Sequence, residues 1–297
     1  MEHPVHVFVT GGTGTIGSPV LTELLGNGHT VLALARSRAS ARRLSDAGAE
    51  VLRGDIADVD VLRDGVRRAD GVIHLAFGHE ADTPEALARE IDTETIALEA
   101  MGAGLLGSGR PIVVASGTPW IAGRAATEAD PPATEGPVGG RGRAVAALMG
   151  LAAQGVRSSA VRIPRTAHEH GNGGFAGLLA TTARRTGVAG YPGDGAQRWP
   201  AVHARDAAVL FRLALESAPP GTSWHAVDEE GVAVRDIADV IGRRLGLPVQ
   251  PVAPEEFGPY GEIFTLDQPA SSRQTREALG WAPTHPGLLD DLENLCP

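Results

Sequence analysis

The stretch VHVFVTGGTGTIGSPVLTELLGNG, residues 5–28, constrains the fold more than any other part of the chain. VHVFVT is an apolar, β-branched run closed by glycine, the pattern of a buried strand. Beyond it Ile16, Val20, Leu21, Leu24 and Leu25 recur at helical spacing, and Gly28 ends the helix. Gly11, Gly14 and Gly17 stand between strand and helix. Glycines so placed permit a tight turn, let the backbone approach a pyrophosphate and let the helix close onto the strand. The helix start adds free N–H groups and the positive end of a dipole. Gly11, Thr13, Gly14, Thr15, Ile16 and Gly17 are therefore the expected contacts to a dinucleotide. A purely structural turn is the weaker reading in this context.

Further runs repeat the alternation. TVLALA (30–35), EVLRGD (50–55), GVIHLA (71–76), PIVVAS (111–116) and SSAVRI (158–163) read as strands, with helices at 42–47, about 85–106 and 143–154 between some of them. Strands alternating with helices imply an α/β fold with a doubly wound parallel sheet. The rhythm loosens after residue 164. HEHGNGG (168–174) and YPGDGAQRWP (191–200) read as Gly-rich loops, 204–216 and 235–246 as helices, and WHAV (224–227) as a strand. The expected organisation is a dinucleotide-binding domain over 1–165. A smaller substrate-binding lobe follows over 166–297, with segments near 200–228 returning to the first domain.

The end of the second strand selects the cofactor. Folds that prefer NAD place an acid there to bind the ribose hydroxyls. Here LALARSR puts Ala35 and Arg36 in that position, with Arg38 behind. A guanidinium suits a 2′-phosphate, so NADPH is expected over NADH; a solvated surface arginine is the alternative.

Composition excludes several classes of function. The net charge is −10 with no basic block, which argues against nucleic acid or an anionic membrane as partner. No apolar run reaches the roughly 20 residues of a membrane helix, and MEHPVHVFVT lacks the form of a signal peptide. The single cysteine, Cys296, forms no internal disulfide, so a cytoplasmic protein is expected. Scattered histidines give no metal-ligand spacing. All 26 basic residues are arginine, so no step that needs a lysine amine operates in this chain.

TGGTGTIG (10–17), GDIAD (54–58), HLA (74–76), VVASGT (113–118), VRIP (161–164), WPAVHARDAA (199–208) and LGWAP (279–283) occur in this order along the chain. In these motifs the sequence resembles the extended short-chain dehydrogenase/reductase family. The resemblance implies a Rossmann-type domain with a C-terminal substrate lobe. It places Asp55 and Ile56 beside the adenine, Ala76 and Phe77 along the cofactor path, and Ser116 or Thr118 beside the nicotinamide. VHARDAA reads as a structural brace.

The family's chemistry uses a tyrosine and, four residues on, a lysine. The best overlay here gives Gly139 and Arg143; one two residues earlier gives Pro137 and Arg141. Neither supplies a phenol. The chain looks like an atypical branch of the family, similar to ketoreductases that tailor aromatic polyketides of the angucyclinone type. Arg143 could keep a ribose contact but delivers no proton near neutral pH. The remaining donors are Ser116 or Thr118, His168 or His170, Tyr191, and the substrate itself through a phenol beside the ketone. The last is favoured, because orientation alone would then suffice. Phe175, Tyr191 and Trp199 are expected around an aromatic ketone, although packing in the lobe's own core explains them equally well. A non-catalytic NADP(H)-sensing protein is the first competing reading. A sugar-nucleotide epimerase or dehydratase, which needs the tyrosine, ranks lower. The oligomeric state is undecided.

Overall fold

Seven parallel strands build the central layer of the computed structural model, which describes residues 4–78 and 83–296. They are β1 (His6–Thr10), β2 (Thr30–Ala35), β3 (Glu50–Arg53), β4 (Gly71–His74), β5 (Pro111–Gly117), β6 (Arg157–Ile163) and, after three strands of the second lobe, a returning strand at Thr222–His225. Those three are β7 (Thr166–His168), β8 (Ala189–Pro192) and β9 (Arg198–His203), which makes the returning strand β10. The spatial order β10-β6-β5-β4-β1-β2-β3 is that of a Rossmann-type sheet. The order reverses between β1 and β4, so a crevice opens beyond their carboxyl ends, at Thr10–Gly11 and His74–Ala76.

Helices cover both faces. They are α1 (Gly17–Gly26), α2 (Arg38–Asp46), α3 (Val59–Arg68), α4 (Pro84–Ala103), α5 (Gly139–Gly150), α6 (Gly174–Thr186) and α7 (Ala204–Ser217). One face packs against α1 and α7 through Val20, Leu24, Leu210 and Phe211; the other packs Phe8, Val66, Leu98 and Leu148. Helix α2 starts earlier than the apolar pattern suggests, because Ser37 forms a reciprocal capping box with Ser40. Helix α3 escaped sequence reading. Asp58 caps it by accepting from the amides of Asp60 and Val61, and Leu62 and Val66 bury one face.

The second lobe joins β7, β9 and β11 (Glu229–Ala233) in one sheet and pairs β8 with β12 (Val249–Val252). The YPGDGAQRWP stretch thus contributes to two strands flanking a turn. Helix α8 (Val234–Leu245), the short α9 (Gly261–Phe264), α10 (Arg273–Leu279) and α11 (Leu288–Leu292) complete the chain. Trp199, Phe257, Phe264, Ile237 and Leu288 form the lobe's core. Helix α6 also escaped sequence reading, since it begins in glycines and buries mostly alanines, Ala176, Ala180 and Ala183. Among the described residues no helix is long and apolar enough to cross a membrane, and no cluster of His, Cys, Asp or Glu could hold a metal ion.

The VHARDAA stretch ties the C-terminal segment to the first domain. Buried Asp206 accepts hydrogen bonds from the amides of Thr284 (3.0 Å) and His285 (3.1 Å), and the His285 ring lies 2.8 Å away. The Trp281 indole donates to the Asp206 carbonyl at 2.9 Å. Asp206→Ala leaves the Thr284 and His285 donors without an acceptor while the Trp281 bond to the main-chain carbonyl remains, and is expected to lower the unfolding free energy by about 2–4 kcal/mol. Urea unfolding of the variant, with cofactor absent, measures this directly.

Candidate active site

The glycine loop is built for close approach. Gly11 adopts φ +74°, and a Cβ there would lie 2.6 Å from the Ala76 amide nitrogen. A Cβ on Gly17 would fall 2.8 Å from the Gly11 carbonyl carbon. Thr10 Oγ1 accepts from the Ala76 amide at 3.4 Å and lies 2.8 Å from His74 Nδ1, so one hydroxyl holds the loop to the end of β4. Burial pushes the His74 pKa down to about 3, with the Arg141 charge adding to the effect, so the ring is neutral. The amides of Thr13, Thr15 and Ile16 find no acceptor among the described residues. They fit the phosphates of a dinucleotide.

Arg36 and Asp55 face each other at 4.0 Å over the ends of β2 and β3, both solvent-accessible. Asp55 also accepts from the Ala57 amide at 3.0 Å. Ile56 packs partly buried against the core beneath it. Ala76 and Phe77 follow β4 directly.

Ser116 and Thr118 differ in kind. Ser116 is half-buried at the carboxyl end of β5, and its hydroxyl has no hydrogen-bond partner among the described residues. Thr118 is buried; its amide donates to the Ile163 carbonyl at 3.1 Å and its carbonyl accepts from Gln268 Nε2 at 2.8 Å.

At Gly139, the overlaid tyrosine position, and at Gly142 beside it, the space is filled by main chain. A Cβ on Gly139 would lie 2.6 Å from the Thr134 carbonyl carbon, and one on Gly142 would lie 2.7 Å from that of Ala133. Gly140 abuts Ile91 of α4 in the same way, at 2.6 Å. The acidic, Pro-rich loop EADPPATEGP, residues 128–137, thus packs directly onto the first turn of α5. It is fastened by the buried Arg162, which donates to the Asp130 carbonyl at 2.8 Å, and by the Arg124–Asp130 ion pair. The Arg124 guanidinium and the Thr127 amide hold the Asp130 carboxyl well below the usual range.

This arrangement separates the two arginines. Arg143 is exposed and donates to the Thr134 carbonyl, so its side chain staples the loop instead of turning toward the cofactor path expected for it. Arg141 turns inward. It makes a bidentate pair with buried Glu94 of α4 (2.7 and 2.8 Å) and stacks 3.7 Å from the Phe77 ring centroid. Neither Glu94 nor this stack was anticipated. The signal available was a carboxylate three residues after Ile91 and four before Leu98, on the core face of α4, where a charge requires a partner.

The second-lobe residues also divide. His168 is buried in β7 with Nδ1 3.0 Å from Asp291 and its ring edge against His203, a structural setting within that lobe. Its expected role as proton donor at the cleft does not match this placement. Trp199 is fully buried and Tyr191 nearly so, both in the lobe's core, which favours the packing alternative over a contact with the ketone. Phe175 is only partly buried, stacked between core and surface: 5.5 Å from Trp199, 5.2 Å from Phe264 and 6.4 Å from Tyr260.

Exposed apolar groups lie instead beyond the carboxyl ends of β5 and β6. Trp120 (48 % exposed) donates its indole N–H to the Asp267 carbonyl, and Tyr260 (38 %) and Ile263 (36 %) flank α9. Arg165, next to the end of β6, reaches this surface through the Ile263 carbonyl and Gln268. Tyr260 was among the aromatics that the sequence offered for a substrate pocket; Trp120, Ile263 and Arg165 were not singled out.

Residues 7–138 match the NAD dependent epimerase/dehydratase family. An uncharacterized protein of Schizosaccharomyces pombe is 39% identical over 292 residues, covering 97% of this chain and 98% of that protein. A 3-diazoavenalumate denitrifying reductase of Streptomyces sp is 28% identical over 97% of this chain and 99% of its own. The NAD complex of UDP-glucose 4-epimerase from Thermus thermophilus shares the fold, with TM-score 0.74 and 22% identity over 97% of this chain and 96% of that one.

Two substitutions test this geometry. Arg36→Ala is expected to raise the NADPH dissociation constant about tenfold and leave that of NADH within about twofold, read by cofactor fluorescence. Gly142→Ala is expected to cost about 1–3 kcal/mol through overpacking. It should also make loop 131–138 a preferred site of limited proteolysis. With the glycine cradle, the match over 7–138 and the end-to-end likeness to the S. pombe protein together, the chain belongs to the NAD dependent epimerase/dehydratase family, the extended short-chain dehydrogenases/reductases.

Proposed function

We propose that the protein is an NADPH-dependent ketoreductase acting on a large aromatic ketone of the angucyclinone polyketide type, with the proton supplied by the substrate. The observation that carries this reading is the main chain lying where the family's tyrosine would stand. Epimerases and dehydratases of this kind need a phenol to take a hydroxyl proton, and the glycines at 139 and 142 leave no room for one. Reduction has a smaller requirement, since a carbonyl already on the substrate needs no base. The full-length likeness to a Streptomyces reductase supports the redox class.

The reduced nicotinamide, when bound along the glycine loop, supplies hydride to the carbonyl carbon. Gly11, Gly14 and Gly17 would seat the pyrophosphate against the α1 start, and Arg36 would hold the 2′-phosphate. Phe77, pinned under the Arg141–Glu94 pair, forms a rigid wall beside the path. Ser116 offers a hydroxyl to the carbonyl oxygen as charge develops there. A phenol beside the ketone passes its proton to the nascent alkoxide, and water later restores the phenol. Trp120, Tyr260 and Ile263 present apolar surface to a flat polycycle. The enzyme's own contribution is then orientation and exclusion of water.

Ser116→Ala is expected to lower kcat by less than about tenfold, against the roughly hundredfold or greater loss for an essential oxyanion donor. Methylating the phenol beside the ketone is expected to lower kcat by about a hundredfold or more, the contribution typical of a general acid. NADPH oxidation at saturating substrate checks both. Undiminished turnover of the methyl ether contradicts the proton assignment.

A further inference from the structure

Arg165 is a cation without a counter-charge at the edge of the cleft. It follows β6 by two residues, in the segment that leads into β7. Its Nε donates to Gln268 Oε1, its Nη1 donates to the Ile263 carbonyl at 2.9 Å, and its guanidinium carbon lies 5.0 Å from the Phe175 ring centroid. All three partners are neutral. No carboxylate pairs with it among the described residues, although 36 acids are present in the chain. Arg141, Arg198, Arg205, Arg212 and Arg276 each have one. Burial lowers the Arg165 pKa to about 10, so it stays charged at neutral pH. Withdrawing a cation from water with only neutral partners is unfavourable, and a second charge arriving with a ligand removes that penalty.

The position of Arg165 ties it to the reacting strand. Gln268 accepts from Arg165 with its oxygen and donates its Nε2 to the Thr118 carbonyl, two residues beyond Ser116. The chain Arg165–Gln268–Thr118 therefore fixes the guanidinium relative to the end of β5. The Phe175 ring lies beside the guanidinium, with the Tyr260 ring next to Phe175, and such partial screening from water strengthens a charge–charge contact. The planar guanidinium, already stacked on one ring, is suited to an anionic oxygen carried on another flat ring system.

We infer that Arg165 is a substrate-recognition residue that binds an anionic oxygen of the aromatic ketone, and that this oxygen is the phenolate left when the neighbouring phenol gives up its proton. The inference rests on the proposed reduction and extends it. Arg165 would stabilise ionisation of the substrate's phenol, the service that a lysine renders to the enzyme's own tyrosine elsewhere in the family. The balance is simple: hydride adds to the carbonyl carbon, the alkoxide takes the phenolic proton, and the phenolate charge rests against Arg165 until water protonates it.

The test is a spectrophotometric pH titration of 1-hydroxyanthraquinone, whose neutral and ionised forms absorb differently in the visible. It is bound to the protein with NADP⁺ present, so no turnover is needed. The ionised form is expected to bind about 10- to 100-fold more tightly than the neutral form, the range for a hydrogen bond to a charged group. That appears as a lowered apparent pKa for the bound phenol. Arg165→Gln should abolish the preference and Arg165→Lys should restore part of it, with both variants binding NADPH as the wild type does. An unshifted phenol pKa on the wild-type protein, or the same shift in Arg165→Gln, overturns the inference. A shifted pKa without any ketone turnover leaves the anion site standing and removes the reductase reading instead. Turnover that is unchanged in Arg165→Gln removes the anion site and leaves the reductase reading.

Discussion

Main-chain packing of the 131–138 loop against Gly139 and Gly142 governs what chemistry this fold can perform. In a Rossmann-type enzyme the first turn of α5 is where an acid or base could be held against the cofactor. Here carbonyl groups of Ala133 and Thr134 occupy the space at Gly139 and Gly142, and the side chain that turns inward, Arg141, is engaged by Glu94 and Phe77. Arg143, Arg162 and the Arg124–Asp130 pair then hold the loop in place. Glycine at these positions is a packing requirement of the loop, and the absence of tyrosine follows from the same packing.

The rest of the site compensates by rigidity. Thr10, His74 and Ala76 lock the glycine loop to β4, and burial keeps His74 neutral. Arg141 and Glu94 bridge α5 to α4 and pin Phe77. Arg165 and Gln268 bridge the second lobe's edge to β5. Each bridge joins two elements through a directional polar contact with apolar packing beside it. Such contacts hold side chains in fixed positions.

Much of this was legible in the sequence. The strand–glycine–helix unit, the parallel sheet, α7 and α8 follow from periodicity and turn chemistry, because local pattern and tertiary burial agree there. Helices α3 and α6 were missed for opposite reasons: α3 hides a narrow apolar stripe among arginines and aspartates, and α6 opens in glycines and buries small residues. The glycine loop and Arg36 were visible because they follow a spacing rule. Glu94, Arg165 and Gln268 were not, since their partners are 47, 103 and 150 residues away and no local pattern announces them. Trp199 and Tyr191 illustrate the converse: an aromatic in a Gly-rich segment looks like a ligand contact until strands β8 and β9 fold it inward. The missing lysine could be read from composition and the missing phenol from the family overlay, but what fills their place could not.

The most direct measurement is isotopic. Incubating the protein with a polycyclic hydroxy-ketone and NADPH deuterated at the nicotinamide C4 position, then analysing the product by mass spectrometry and NMR, reports where the transferred atom ends. The account predicts one deuterium on the new carbinol carbon. It also predicts that the carbinol hydroxyl proton comes from the exchangeable pool of the substrate. NADPH that binds tightly but is never oxidised by any such ketone, with no deuterium in the organic fraction, would contradict it.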